Sequence, residues 1–210
     1  LTFKTVFLTL LASGSRRGEV HAFALDKVSH PESWEHVLLS TRPGFLPKTH
    51  VHGHGFEEVR IPSLSTILPG AVESDMALCP VRSLRIYLDR TKDLRQGKEL
   101  LFISHEKGFR GDIHKNTVSG WVRKLITLCY ETADPQVAQR LGTSTHAIRG
   151  MAASLAFAGS AGLEEVLRAG SWKSHTTFTR HYLKDMSVLQ QGLLRVGPVV
   201  VSQHVVRPRE

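Results

Sequence analysis

The chain has 210 residues, of which 41% are hydrophobic, so it is long and apolar enough to bury the core of one sizeable domain. Its 27 Lys and Arg outnumber its 19 Asp and Glu, and the formal net charge is +8. A basic domain often binds a polyanion, such as nucleic acid or an anionic membrane. Cys79 and Cys129 are far apart without CxxC spacing, which indicates unpaired thiols in a reducing compartment. No apolar run is long enough to span a bilayer.

The first third of the chain predicts two helices followed by two strands. Apolar residues recur with helical spacing over residues 1–11, and Gly14 ends that pattern. The stretch "SRRGEVHAFAL" predicts a second short helix capped by Ser15. Then "WEHVLLST" and "FEEVRIPSL" are strand candidates, separated by a spacer rich in Pro and Gly. We therefore expect a small antiparallel sheet near the front third, with a long exposed loop between its strands.

From Pro80 onward the pattern is mainly helical, which predicts a mostly helical α+β domain. The short apolar stretch "ELLFIS" predicts an extended segment. The predicted helices are "PVRSLRIYLDRTKDL", "KNTVSGWVRKLITLCYETA", "STHAIRGMAASLAFAG", "GLEEVLRAG" and "TTFTRHYLKDM". The tail "VGPVVVSQHVV" is β-branched and apolar, so we expect it to pair with a sheet edge, in the same chain or in a neighbouring one.

Two motifs place an arginine where it is suited to binding a phosphate. Arg16 lies just where a helix is predicted to begin after a glycine, and both a helix N-terminus and a guanidinium favour anions. By itself, Arg16 is better explained as part of a surface Arg pair that forms a helical ion pair with Glu19. His146 and Arg149 are three residues apart in "HAIRG", so a helix places them on one face, where proton transfer and charge stabilisation can be combined.

The stretch "HVHGH" alternates His50, His52 and His54, which is a possible metal-ligand geometry on a strand. No carboxylate or cysteine lies in a matching position, and its two glycines favour a loop. We therefore favour a solvated or DNA-facing loop, with no metal. Lys48 lies in the same loop.

Taken in order, these motifs resemble the catalytic domain of tyrosine recombinases, the phage-integrase family. The resemblance rests on an Arg at a helix start, a Lys in a hairpin loop, HxxR, and then Trp and Tyr, and it spans nearly the whole chain from "LLASGSRRGEV" to "FTRHYLKDM". The stretches "FLPKTH", "HAIRGMAASLAF", "GLEEVLRAGSWKSHTTFTRHYLKD" and "VGPVVVSQ" are more narrowly similar to recombinases of DIRS-like and Ngaro-like retrotransposons.

The resemblance implies a role for each motif residue in cutting a phosphodiester. Tyr182 would attack the scissile phosphate and form a 3′-phosphotyrosyl bond. The other implied catalytic residues are Arg16 and Arg149 as clamps on the phosphate, Lys48 as the proton donor to the 5′ oxygen, His146 in proton transfer at the nucleophile, Trp172 as a phosphate contact, and Glu19 as a buttress. Candidate DNA contacts are Arg17, His50, His52, Lys173 and Arg180.

Two assignments have rivals within the chain. Lys27 competes with Lys48, although Lys48 lies between the two strand candidates and is favoured. The family commonly places Gly-His or Gly-Trp one residue nearer to the tyrosine. Here Ser171 follows Gly170 and Trp172 comes next, so either Ser171 or Trp172 occupies that position.

The resemblance also implies an organisation and a setting. Residues 1–190 would form the catalytic domain and residues 191–210 an extended tail that docks in cis or on a neighbouring subunit. The N-terminal helical domain of the family is expected to be absent from this chain. We expect double-stranded DNA as the partner, a homotetramer on DNA, no cofactor, no membrane, and a nuclear location as the product of a mobile element.

Three other functions are compatible with parts of the sequence. A type IB topoisomerase uses a similar catalytic set, but the short chain and the retrotransposon-like motifs argue against it. A domesticated or inactive DNA-binding module of the same fold would have no need of the complete catalytic set. A metal-binding protein built on "HVHGH" is the weakest alternative.

Overall fold

A computed structural model describes residues 1–47, 58–104, 112–133, 144–159, 161–170, 172, 174–183 and 203–205. In this part the helices are α1 Thr2–Ser13, α2 Arg17–Ala22, α3 Leu64–Ile67, α4 Glu73–Met76, α5 Pro80–Thr91, α6 Lys115–Ala133, α7 Thr145–Ala158, α8 Leu163–Ala169 and α9 His175–His181. The strands are β1 His36–Leu39, β2 Glu58–Pro62 and β3 Gln203–Val205, and short 3-10 turns span Leu25–Lys27 and Lys92–Leu94.

Helix α1 lies at the centre of the main core. It contacts α5, α6 and α7, so more than one of its faces is buried. Val6 and Leu10 are buried as the helical spacing predicts, and Thr5 and Thr9 are buried as well. The Thr5 hydroxyl lies 2.8 Å from the Ser83 hydroxyl of α5, which satisfies a polar group inside the core. Gly14 ends α1 with a left-handed φ of 59°, a conformation that glycine adopts without strain.

The sheet has the order β1-β2-β3, and both pairings are antiparallel. In the first pairing Val37 lies opposite Ile61 and Leu39 opposite Val59, and all four side chains are buried. This alternation is the reason that the two strands were predictable. In the second pairing the tail strand β3 lies along β2, with Val59 opposite His204.

In the stretch predicted to be extended, "ELLFIS", residues 100–103 are buried and Glu99 is exposed. Leu100 forms an isolated bridge with Ala24, and the Leu101 amide donates to the Phe23 carbonyl at 2.8 Å. The Tyr87 hydroxyl accepts from the Ile103 amide at 2.9 Å.

Helix α6 buries only part of the apolar stripe that its sequence predicts, which is formed by Val118, Trp121, Val122, Leu125, Leu128 and Cys129. Val118, Trp121 and Val122 are buried, whereas Leu128 is 46% exposed and Cys129 is exposed. The stripe therefore packs against α1 and α2 only over the N-terminal part of the helix.

Candidate active site

The start of α2 positions Arg16 and Glu19. Arg16 precedes the helix in an extended conformation, its amide donates to Glu19 Oε2 at 2.6 Å, and its Nη1 lies 3.0 Å from Glu19 Oε1. One carboxylate thus holds both the main chain and the guanidinium. The prediction that Ser15 caps this helix is wrong: Ser15 is buried, its amide donates to Ser13 Oγ, and Arg16 takes the cap position.

Helix α7 supplies His146 and Arg149. Ser144 begins the helix, and its hydroxyl accepts from the Ala147 amide at 3.2 Å. The His146 ring centroid lies 4.7 Å from that of Tyr182, and Arg149 Cζ lies 5.6 Å from the Tyr182 ring. Both residues of the HxxR motif therefore contact the same tyrosine.

Arg149 is almost completely buried, with 3% of its surface exposed. Its Nη1 donates to the Gly14 carbonyl at 2.5 Å and its Nη2 donates to the Gly170 carbonyl. These bonds connect the end of α1 to the end of α8 and fix the plane of the guanidinium. Its Nε–H is buried and has no hydrogen-bond partner among the described residues, so donor capacity remains.

The electrostatics around Arg149 are suited to an anion. Burial, and then the nearby charge of Arg16, lower the pKa of Arg149 to about 10, while Glu19 and Tyr182 oppose that change. Arg149 remains cationic at neutral pH because about 10 is well above 7. Two neighbouring cations in a partly water-excluded site repel each other, and a bound phosphate would relieve that repulsion.

Trp172 packs beneath the tyrosine. The indole lies against Gly170 so closely that a Cβ on that glycine would overlap it. Its ring lies 4.3 Å from Arg149 Cζ, and its centroid is 4.7 Å from the Tyr182 ring and 5.3 Å from the Phe178 ring. Its Nε1–H is buried without a partner in the described part of the chain. Trp172 therefore contacts both the buried cation and the tyrosine.

Tyr182 is half-buried and lies directly after α9. Helix α9 ends at His181, earlier than the predicted helix, and Tyr182 is its C-cap residue. The Tyr182 amide donates to the Phe178 carbonyl at 2.8 Å. Rings of His146 and Trp172 contact the tyrosine ring, which restricts its rotamer.

The other residues that the sequence suggested for the site either lie elsewhere on the surface or fall outside the described residues. Arg17 Nη1 donates to the Ser119 hydroxyl at 3.1 Å, and that hydroxyl lies 3.4 Å from Thr145 Oγ1, so Arg17 is beside the N-terminus of α7. Arg180 is exposed on α9, and Lys27 is exposed at the end of a 3-10 turn. Outside the described residues lie Lys48, His50, His52, His54, Ser171 and Lys173. The choices between Lys48 and Lys27, and between Trp172 and Ser171, stay predictions.

Across the described ranges, no group of three or more His, Cys, Asp or Glu side chains is arranged to hold a metal ion. None of the helices in those ranges combines the length and the apolarity needed to cross a bilayer.

Sequence reasoning missed the main-chain part of the site. The carbonyls of Gly14 and Gly170 hold Arg149, and a sequence pattern does not identify a particular carbonyl as an acceptor. The two glycines themselves were the available signal, because each follows a predicted helix.

Of the comparisons with family models, curated proteins and solved structures, only the comparison with solved structures finds a similar protein. No family model matches the chain, and no curated protein matches it. Among solved structures, the chain is similar to the crystal structure of XerA recombinase, with a TM-score of 0.57, 16% sequence identity, and coverage of 90% of this chain and 55% of that chain. The chain therefore has the fold of that recombinase. The recombinase fold confirms the predicted α+β class, and the chain spans about half the length of that recombinase.

Proposed function

We propose that this chain is a DNA breaking and rejoining enzyme in which Tyr182 is the nucleophile. One observation carries the proposal: side chains from α7 and from the connection between α8 and α9 contact the tyrosine that directly follows α9. His146, Arg149 and Trp172 contact the Tyr182 ring, and Arg16 is close enough to Arg149 to lower its pKa. The recombinase fold supports the same reaction class.

In the proposed reaction, Tyr182 Oη attacks the phosphorus of a DNA phosphodiester. A bond forms between Oη and phosphorus as the bond from phosphorus to the 5′ oxygen breaks, which leaves a 3′-phosphotyrosyl strand and a free 5′ hydroxyl. His146 assists removal of the phenol proton, and Lys48 gives a proton to the 5′ oxygen. Rejoining reverses each transfer. The ester bond is conserved throughout, so no ATP is needed.

The two arginines would stabilise the charge that builds up on the non-bridging oxygens. Arg149 is fixed by two main-chain carbonyls and Arg16 by Glu19, so neither guanidinium has to be ordered during the reaction. A preorganised donor of this kind is worth about 100- to 1000-fold in rate. Trp172, in contact with Arg149, would complete the phosphate site.

The biological setting follows from the sequence resemblance. The proposed activity is site-specific recombination that integrates a mobile-element DNA, carried out by a homotetramer on double-stranded DNA in the nucleus. Residues 1–190 would be the catalytic domain and 191–210 a docking tail. Arg17, Arg180, Lys173 and the His50–His52 loop would contact DNA beside the scissile phosphate.

The test is a covalent adduct on a suicide substrate. The protein is incubated with nicked or 5′-phosphorothiolate duplex DNA in EDTA, and the adduct is resolved on a denaturing gel. We expect an adduct with the wild type and with Tyr130→Phe, a control at an exposed tyrosine on α6, and none with Tyr182→Phe. An adduct that persists in Tyr182→Phe would assign the nucleophile elsewhere.

The other outcomes separate the alternative functions. Duplex binding without any adduct would indicate an inactive DNA-binding module. Relaxation of supercoiled DNA without strand transfer to a second duplex would indicate a topoisomerase. Loss of the adduct in EDTA would indicate that a metal ion is required.

A further inference from the structure

A buried serine on α7 reaches the main chain of the proposed nucleophile. Ser154 is 0% exposed, and its hydroxyl oxygen lies 2.7 Å from the Gly150 carbonyl and 3.1 Å from the Tyr182 carbonyl. The two residues are 28 positions apart in the chain. The proposed reaction assigns no role to this hydroxyl.

The Tyr182 carbonyl is a group that needs a donor. The last carbonyls of a helix have no partner within the helix, and Tyr182 is the C-cap of α9. The Tyr182 and Leu183 amides both donate to the Phe178 carbonyl, so the main chain turns at this point. A carbonyl left unpaired against protein costs about 1–3 kcal/mol. The Ser154 hydroxyl therefore satisfies the helix end that carries the tyrosine.

The Gly150 carbonyl does not depend on the Ser154 hydroxyl for a hydrogen bond. The Gly150 carbonyl lies four residues before Ser154 in α7, where it is a regular acceptor for the helical Ser154 amide. A hydroxyl has a single proton, which the Gly150 carbonyl at 2.7 Å and the Tyr182 carbonyl at 3.1 Å share; of these two contacts, the one with Tyr182 joins two elements. Ser154 thereby ties the end of α9 to α7.

Helix α7 thus holds the tyrosine in two ways. His146 and Arg149 contact its ring, and Ser154 binds its main chain. All three are on one helix, so their spacing is fixed, and a misplacement of about 1 Å at a reacting group is enough to slow a reaction about 100-fold. We propose that Ser154 is a positioning residue that fixes the main chain of Tyr182 for attack. This inference rests on the proposed function.

The experiment compares Ser154→Ala with Ser83→Ala. Ser83 is a matched control because it is also a buried serine, and its hydroxyl joins α5 to Thr5 of α1, away from the tyrosine. Single-turnover adduct formation is measured at saturating suicide substrate, and the Kd for the same DNA is measured separately. We expect the rate of Ser154→Ala to fall about tenfold with the Kd within about twofold, and the rate of Ser83→Ala to stay at the wild-type value.

Two results would overturn the inference while the proposed function stands. One is a wild-type rate for Ser154→Ala. The other is an equal loss of rate in Ser83→Ala, which would show that any lost core hydroxyl slows the enzyme. The first of these results overturns the inference even if the Kd is weaker, because a positioning residue acts on the chemical step.

Failure of the proposed function has a different signature. If the wild type itself forms no adduct, hydrogen exchange at the Leu183 amide decides the positioning claim, because that amide bonds within the turn that Ser154 holds. Exchange about tenfold faster in Ser154→Ala, and unchanged in Ser83→Ala, supports the link between α7 and α9. Equal exchange in both variants would refute it.

Discussion

The described part of the chain has two hydrophobic clusters, and they differ in size and in what they support. The first surrounds α1 and collects buried residues from strands β1 and β2 and from helices α1, α2, α3, α5, α6 and α7. The second contains Ala153, Val166, Leu167, Trp172 and Phe178, with Tyr182 packed against it. Helix α7 contributes to both, through Ile148 in the first and Ala153 in the second.

The larger cluster is expected to determine the stability of the fold, and the smaller one the geometry of the candidate site. The larger cluster buries most of the apolar surface and should determine whether the chain folds. The smaller cluster packs against Tyr182 and has only five buried members among the described residues, and Arg149 contacts both Trp172 and Tyr182 at its edge. Its opening should therefore cost less free energy than global unfolding. Four substitutions test this comparison, from the largest effect to the smallest.

Leu10→Ala removes a side chain at the centre of the first cluster. Leu10 is 1% exposed, so we expect the free energy of unfolding to fall by about 3–5 kcal/mol, measured by urea denaturation. The companion variant Leu167→Ala, in the second cluster, should lower it less and instead speed amide exchange in α8 and α9. Equal losses of global stability would mean that the two clusters unfold as one.

Arg149→Lys removes the guanidinium that bonds the end of α1 to the end of α8, while keeping the positive charge. A lysine lacks the planar fork that reaches both the Gly14 and Gly170 carbonyls. We expect adduct formation to slow about 100- to 1000-fold at saturating DNA. Arg90→Lys, at an exposed position on α5, is the control and should leave the rate unchanged. A modest slowing of Arg149→Lys would show that charge alone is sufficient.

Gly170→Ala tests the close approach of the indole. The new methyl group would overlap the Trp172 ring, so the ring must move, at a cost of about 1–3 kcal/mol in stability. Denaturation followed by tryptophan fluorescence measures both changes. Gly120→Ala in α6 is the matched control, because its Cβ would meet open space and alanine favours a helix. No loss in Gly170→Ala would show that Trp172 is free to repack.

His36→Gln probes the sheet edge of the first cluster and should have the smallest effect. Burial, then the charge of Arg60, lower the pKa of His36 in the folded state, and Glu35 opposes this. The unfolded state therefore binds a proton more readily, so stability falls as the pH drops below about 6.5. Denaturation at pH 5 and pH 7.5 should show a smaller difference in the variant. An unchanged difference would assign the acid sensitivity to other groups.

Much of the fold was predictable because its elements have simple periodicities. The alternation in β1 and β2 and the helical spacing in α1 and α5 each reflect a buried face, and the structure has that face buried. The exposed second half of α6 was not predictable from its stripe, because the spacing of apolar residues does not say which neighbours exist to cover them.

The candidate site was predictable in its side chains and unpredictable in its supports. The sequence places Arg16, His146, Arg149, Trp172 and Tyr182 in one candidate set. In the structure His146, Arg149 and Trp172 contact Tyr182 and Arg16 is near Arg149, while the role of each residue stays a prediction. Three kinds of supporting contact were not predicted. Arg16 takes a cap position that usually carries a small polar residue, the Gly14 and Gly170 carbonyls accept from Arg149, and the Ser154 hydroxyl bonds to a residue 28 positions away. Each depends on tertiary packing that local patterns do not encode.

Gly14 has two structural roles. Its left-handed φ of 59° ends α1, and its carbonyl accepts from Arg149. A side chain at Gly14 would strain the turn and move the acceptor, so the damage from Gly14→Ala and from Arg149→Lys should overlap. The double variant would then lose less than the sum of the single losses. Once either residue has changed, selection to preserve the other is relaxed, and the pair should drift together.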